Sequence, residues 1–227
     1  MRLLAIDTAL AACAAAVFDS DGTRMLGIES LAMARGHAEA LMPLLARVMD
    51  HADIGFSELD RIVVTVGPGS FTGLRVGIAA ARGLALVSGK EAVGISTLSA
   101  YAAPHIANED GAPIVAAIDA RHASVYLQVF AANGQTLAGP HIATISDAVR
   151  AVAGTPIRLV GSGAPLVAAA WPADEPAPLL VEAGDAPGIE WVARLGAAAP
   201  KTDVAPIPLY LRAPDARPQD AARLPRR

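Results

Sequence analysis

A chain of 227 residues, of which 53% are hydrophobic and 18% are charged, can build one large domain or two small ones and is too apolar for wholesale disorder. The formal net charge of −4 argues against strong independent binding of nucleic acid, and the single cysteine, Cys13, excludes an intrachain disulfide. A lone cysteine is also typical of the reducing cytoplasm, and no uninterrupted apolar run approaches the roughly 20 residues of a membrane span.

The first half of the chain predicts three strands, a helix, a strand, a second helix and a short strand. The first strand ends at Asp7, and a tight turn leads to a second strand through Phe18 and a third over residues 24–31. Apolar residues then recur at helical spacing over 36–50. A buried strand at 61–67, a glycine-rich loop, a helix over 71–86 and a short strand over 92–96 complete this half.

The second half repeats the first. Ala-Ile-Asp ends at Asp7 and again at Asp119, and in both places Val-Phe and then Gly follow at the same offsets. This shift predicts a helix over 145–153, strands over 158–161 and 179–183, and a helix over 188–199. A sequence that repeats over half its length indicates a duplicated supersecondary unit.

Two βββαβα halves with an inter-domain helix between them predict the α/β fold of the actin and sugar-kinase, ribonuclease H-like superfamily. We expect an N-terminal half at 1–103 and a C-terminal half at 112–212, with the linker around Pro104–Pro113. The remaining residues, 213–227, are expected to form a frayed tail.

The loop VGPGSFTGLRVG at 66–77 raises the question of nucleotide binding. It lacks the Gly-Lys-Ser/Thr ending that brings a lysine to phosphate and fits only a loose dinucleotide pattern. In the predicted superfamily, phosphates bind at the turn after the first strand of each half, and neither turn here contains a glycine. The candidate cofactor residues are therefore few: Asp7, Thr8, Asp119, Gly161 and Gly163. For the two aspartates, capping of a turn is the favoured role.

The sequence predicts neither a metal site nor a catalytic residue. None of the five histidines stands three or four positions from another, so no helix presents a chelating pair. The Gly-x-Ser-x-Gly elbow of serine hydrolases does not occur. His37, at the start of the first helix, is expected to have a helix-initiating or surface role.

The second helix carries glycines at positions where a helix normally avoids them. Gly73 and Gly77 stand four residues apart, and each interior glycine costs up to about 1 kcal/mol relative to alanine. Something must therefore approach this backbone closely. The neighbour is either the protein's own sheet or a helix of a partner that packs across a two-fold axis.

These residues resemble the bacterial TsaB family, also called YeaZ, which acts in tRNA threonylcarbamoyladenosine biosynthesis. The resemblance rests on GPGSFTGLRVG at 67–77, LLAIDT at the start, IDAR followed by VY at 118–126, the RGHAEALMPLL helix and PLYLR at 208–212. It implies a non-catalytic, cytoplasmic subunit without a cofactor of its own. The metal would belong to the catalytic subunit TsaD, and ATP would be used by TsaE.

The resemblance also implies the partners. The family pairs with TsaD and, with TsaE, supports threonylcarbamoyl transfer to N6 of the adenosine beside the anticodon. It forms a homodimer when TsaD is absent, and it meets tRNA through the complex and no membrane. Carried over to this chain, the contact helices span about 37–50 and 72–87, and the expected interface residues are His37, Leu41, Met42, Leu45, Met49, Gly73, Leu74, Gly77, Ile78 and Ala81.

The alternative is a stand-alone nucleotide-binding phosphotransferase or ATPase of the same fold, with a peptidase as a further possibility. Tight binding and turnover of ATP with Mg²⁺ by the isolated chain would distinguish the phosphotransferase from a scaffold subunit.

Overall fold

Two five-stranded mixed sheets form the framework of the protein. In the computed structural model residues 1–212 are described, and the predicted frayed tail at 213–227 lies outside them. The first sheet has the order β3-β2-β1-β4-β5, and the second has the matching order β8-β7-β6-β9-β10. The predicted duplication of the fold is therefore confirmed.

The first half runs β1 Arg2–Asp7, β2 Ala12–Asp19, β3 Arg24–Ala32, α1 His37–Ala52, β4 Arg61–Gly67, α2 Phe71–Ser88, β5 Glu91–Ser96 and α3 Thr97–Ala102. The second runs β6 Ile114–Asp119, β7 Ser124–Phe130, β8 Thr136–Thr144, α4 Ile145–Val152, β9 Arg158–Val160, α5 Ala164–Ala169, β10 Leu180–Glu182 and α6 Ile189–Ala198. Single 3₁₀ turns lie at Phe56–Glu58 and Ala103–His105. The predicted strands and long helices are confirmed to within two residues at each end.

The two halves match with an offset of one residue at their first strands. Leu4 of β1 lies opposite Val17 of β2, whereas Val115 of β6 lies opposite Val129 of β7. Val17 and Val129 are 112 positions apart in the sequence, but Leu4 and Val115 are only 111 positions apart. The turn after the first strand is therefore one residue longer in the second half.

This offset changes which residues are equivalent. The structural counterpart of Asp119 is Thr8, and Asp7 corresponds to Ile118. Because successive strand residues point to opposite faces, Asp7 lies on the face that α6 covers, and Asp119 lies on the face that α4 and α5 cover. The sequence match of the two aspartates is thus wrong for this strand.

The cores do not follow the predicted boundary between halves. The first sheet is covered by α1 and α2 on one face and by the C-terminal α6 on the other. The second sheet is covered by α4 and α5 on one face and by α3 from the first half on the other. The expected domains 1–103 and 112–212 describe the sheets, but the halves exchange one helix each.

Two long-range polar contacts secure this exchange. Arg61, at the start of β4, is almost fully buried and donates to the carbonyls of Gly196 and Ala199, at 2.6 and 2.8 Å. It also forms an ion pair with Glu91 on β5. Farther along, the Leu209 amide donates to the Val66 carbonyl at 2.7 Å, so the segment after α6 runs back over the first half.

Candidate functional site

The carboxyl group of Asp7 points into the protein. Asp7 is fully buried, and its Oδ1 accepts bonds from the Thr65 hydroxyl at 2.5 Å and the Ala9 amide at 2.9 Å. Its Oδ2 has no hydrogen-bond partner among the described residues. Burial raises the pKa of Asp7, because the charged form is poorly solvated there, although the two hydrogen bonds oppose the shift. Asp7 is therefore a buried acid and does not reach a nucleotide.

The turn after β1 also explains the glycines of α2. Thr8 is buried, and its hydroxyl donates to the Gly73 carbonyl at 2.7 Å. A Cβ at Gly69 or Gly73 would collide with the backbone carbonyls of Ala9 or Thr8, and one at Gly77 would collide with the Thr8 hydroxyl. The group that packs closely against these glycines is the turn after β1 of the same chain. The expectation that a partner approaches Gly73 and Gly77 is thus wrong, as is the role of Thr8 as an open cofactor contact.

The second half repeats this packing with other residues. A Cβ at Gly161 or Gly163 would meet the backbone of β6, so these glycines serve close packing and not a ligand. Asp119 is partly exposed, and its Oδ1 accepts a bond from the Arg121 amide at 2.7 Å. Of the five candidate cofactor residues, only Asp119 lines the space between the two halves.

That space is a cleft of about 660 Å³ between the first turn, the start of α2 and the β6–β7 turn. Its wall includes Phe71 from the first half, Arg121 and His122 from the second, and Arg212 from the C-terminal segment. Arg121, His122 and Ala123 all have left-handed backbone angles, with φ of 63°, 51° and 55°. Such conformations are unfavourable for residues other than glycine and cluster at functional sites.

No group of three or more His, Cys, Asp or Glu side chains comes together within residues 1–212. His37 is buried, and its Nε2 lies 3.0 Å from the Leu10 carbonyl oxygen. That contact ties the start of α1 to the first turn, while the N-cap of the helix is Gly36. Burial raises the pKa of Cys13 to about 11, so this thiol stays protonated and unreactive at neutral pH.

Nine of the ten expected interface residues are buried inside the chain. The apolar stripes that periodicity identified on α1 and α2 pack on the protein's own first sheet, as the most apolar side of a surface helix normally does. Only Met42 is exposed. The buried residues, which cannot contact a partner in this conformation, are His37, Leu41, Leu45, Met49, Gly73, Leu74, Gly77, Ile78 and Ala81.

The opposite side of α2 carries apolar residues that the periodicity argument missed. Leu86 and Val87 are 84% and 89% exposed. Within residues 1–212, α2 is the one helix long and apolar enough to cross a membrane by length and composition, with a mean hydropathy of 1.3, and a third of it is buried. Here it packs on β4 beside α1. The signal available in the sequence was the presence of leucine and valine outside the core stripe.

Comparison with known proteins agrees with this architecture. A family model described as TsaD, tRNA N6-adenosine threonylcarbamoyltransferase, matches residues 18–165. The tRNA threonylcarbamoyladenosine biosynthesis protein TsaB of Escherichia coli is 36% identical over 126 residues, which are 56% of this chain and 53% of that protein. The structure of YeaZ from Pseudomonas aeruginosa has a TM-score of 0.75 and 26% identity, and the match covers 92% of this chain and 99% of that one. The chain belongs to the TsaB (YeaZ) family.

The match to the family differs in extent from one relative to another. An uncharacterised protein of Mycobacterium leprae is 34% identical over 232 residues, which cover 98% of this chain but 58% of the relative. The chain therefore spans between half and two thirds of the length of these two curated relatives.

Proposed function

We propose that the chain takes part in threonylcarbamoyladenosine modification of tRNA as a non-catalytic subunit that pairs with TsaD. The observation that carries the pairing is the pair of large apolar side chains on the solvent-facing side of α2. The chain itself covers only one side of this helix, and the other side exposes Leu86 and Val87 together with Arg75 and Arg82. A second protein that packs on the exposed side would complete the burial.

The surface proposed for pairing comprises the outer sides of α1 and α2. Met42 of α1 and Leu86 and Val87 of α2 supply exposed apolar side chains. Gly83, one turn before Val87, has nothing within 4 Å of an added Cβ, so a partner backbone has room to come close. A groove of about 640 Å³ lies beside it, between the end of α2 and the segment Thr202–Ala205. The same surface is proposed to form the homodimer when TsaD is absent.

The proposal assigns the chemistry to the partners. In this chain the acid of the first turn is buried against Thr65, and Thr8 fills the turn, so neither side chain is available to a phosphate or a metal. The metal would be held by TsaD, and ATP would be hydrolysed by TsaE in a ternary complex. We place this complex, and its transfer of threonylcarbamoyl to N6 of the adenosine beside the anticodon, in the cytoplasm.

Substitution of Val87 by aspartate tests the pairing. Val87→Asp places a charge in the proposed interface and is expected to weaken association with the TsaD protein of the same organism at least about tenfold. Leu137→Asp is the matched control, because Leu137 is an exposed apolar residue on β8 of the other half. The measurements are co-purification and analytical ultracentrifugation, with circular dichroism as a check on folding.

A folded Val87→Asp variant that pairs with TsaD as tightly as the original chain would contradict the proposed surface. Reconstitution of the modification with and without the chain tests the role itself. Isothermal titration of the isolated chain with ATP and Mg²⁺ tests the alternative, since tight binding with turnover would identify a stand-alone phosphotransferase or ATPase.

A further inference from the structure

Arginine and aromatic side chains lie at and beside the mouth of the cleft between the halves. The guanidinium of Arg75 lies 3.7 Å from the centre of the Phe71 ring, and the Arg75 Nε donates to the Tyr210 hydroxyl at 3.1 Å. The Phe71 and Tyr210 rings are 5.2 Å apart. Arg212 donates to the carbonyl of Ala120 at 2.8 Å, which brings the row to the second half next to Arg121. We refer to Phe71, Arg75, Arg121, Tyr210 and Arg212 as the rim row.

We propose that the rim row binds an unpaired segment of RNA, with a base stacked on the Phe71–Tyr210 pair and phosphates held by the arginines. The inference deepens the proposed function, because it has this subunit contact the tRNA directly. Aromatic rings beside arginines along a groove are the usual means by which proteins hold single-stranded nucleic acid. Double-stranded RNA offers no splayed base for such a pair of rings.

The exposure of the rings and of Arg121 fits this use. Phe71 and Tyr210 are each about two-fifths exposed, and Arg75 already covers one face of the Phe71 ring, so a base would stack on the ring surface that remains exposed. Arg121 is 83% exposed and stands on the left-handed turn at the opposite side of the cleft mouth. The left-handed turn thus presents an exposed cation at the cleft mouth.

The charge at the rim is locally positive although the chain is acidic. Within residues 1–212, Arg75 and Arg212 have no carboxylate within 4.0 Å, and Arg121 has only Asp119 at 3.6 Å. Asp119 and Asp185 are the carboxylates that line the cleft. Because Arg121 is 83% exposed at the cleft mouth whereas Asp119 is only 30% exposed, a phosphate backbone would follow the rim and not enter the cleft. The net charge of −4 predicts that binding is modest and sensitive to salt.

Fluorescence anisotropy with a labelled RNA hairpin that carries an unpaired loop tests the inference on the full, isolated chain. Phe71→Ala is expected to weaken binding roughly fivefold or more, as loss of a stacked base does. Arg121→Ala is expected to weaken binding and to reduce the slope of log affinity against log salt concentration by about 0.7–0.9, the value for one phosphate contact. A fully paired duplex should compete poorly.

The matched control is Arg194→Ala on α6. Arg194 also lies over aromatic rings, 5.3 Å from Phe18 and 5.8 Å from Trp191, but outside the rim row. Unchanged affinity in Phe71→Ala and Arg121→Ala, or equal losses in Arg194→Ala, would overturn the proposal. So would equal competition by the duplex, which would indicate unspecific attraction of a polyanion.

The two proposals can fail separately. Hairpin binding that depends on Phe71 and Arg121 supports the rim row even if Val87→Asp leaves pairing with TsaD intact. Conversely, if Val87→Asp abolishes pairing while the rim variants bind the hairpin normally, the pairing surface stands and the RNA site is refuted.

Discussion

Alanine substitutions at three glycines of α2 would test why the helix contains them. All three would gain helix propensity, up to about 1 kcal/mol each. At Gly83 the new Cβ meets nothing within 4 Å, so Gly83→Ala should stabilise the chain by nearly that amount. At Gly73 the new Cβ would collide with the Thr8 carbonyl, which is backbone and cannot rotate away.

The Gly73 collision should outweigh the gain in propensity. The Thr8 hydroxyl donates to the Gly73 carbonyl and the Ser70 amide donates to the Ala9 carbonyl at 2.7 Å, so the turn and the helix are fixed to each other. Overpacking of a rigid core site costs about 1–3 kcal/mol, and loss of the Thr8 bond adds about 1 kcal/mol. We expect a net loss of roughly 1–3 kcal/mol for Gly73→Ala, a fall in Tm of about 2–12 °C.

Gly77 differs from Gly73 because an added Cβ would meet a side chain there and not the backbone. Its added Cβ would meet the Thr8 hydroxyl, so Gly77→Ala should destabilise the chain, and Thr8→Ala should partly rescue it. Thr8→Ala should not rescue Gly73→Ala, whose obstacle is the carbonyl. Thermal melts and urea titrations of the single and double variants, at a concentration where the chain is monomeric, measure the coupling. A Gly73→Ala variant at least as stable as Gly83→Ala would refute the explanation.

Two further predictions concern buried charge. Asp7→Asn keeps an oxygen acceptor for Thr65 and removes a carboxyl group whose pKa is raised in the folded chain. Because the original carboxyl group destabilises the fold increasingly as pH rises from about 4 to 7, the unfolding free energy of the variant should rise relative to that of the original chain over this range. A difference that does not change with pH would contradict the raised pKa. Arg61→Met removes the ion-pair partner of Glu91, which keeps only the Thr202 amide as a donor, and removes the arginine donor of two carbonyls, so it should cost about 3 kcal/mol or more. Arg158→Met, at the equivalent start of β9 but with a partly exposed pair, should cost about 1 kcal/mol or less, and equal losses in urea titrations would contradict the importance of burial.

The strands and long helices could be predicted because each depends on a local pattern. The run at Arg61–Gly67 is mainly apolar because both faces of β4 are covered, and the helical spacing in α1 arises from one side that faces the sheet. These patterns follow from burial alone. The duplication was likewise visible, since Val-Phe falls at the same place in β2 and β7.

The assignment of residues to roles could not be predicted to the same extent. Periodicity identified Leu45 and Ile78 as apolar-stripe residues, but it does not say whether the chain or a partner covers them. The match of Asp7 with Asp119 is wrong because the turn of the second half has one additional residue, and a shift of one residue reverses the face on which a strand side chain lies. The rim row joins residues of α2 to residues near 210, and no local pattern connects such distant parts of a chain.

The exchange of α3 and α6 bears on how the protein is made. A ribosome releases β1–β5 long before α6, so the face of the first sheet that includes Leu3 and Val63 stays bare until residue 198 has emerged. Until then the nascent first half exposes an apolar surface, which α6 from the second half later covers. Folding of the two halves is thereby coupled, because α6, which is synthesised after all five strands of the first sheet, completes the N-terminal core.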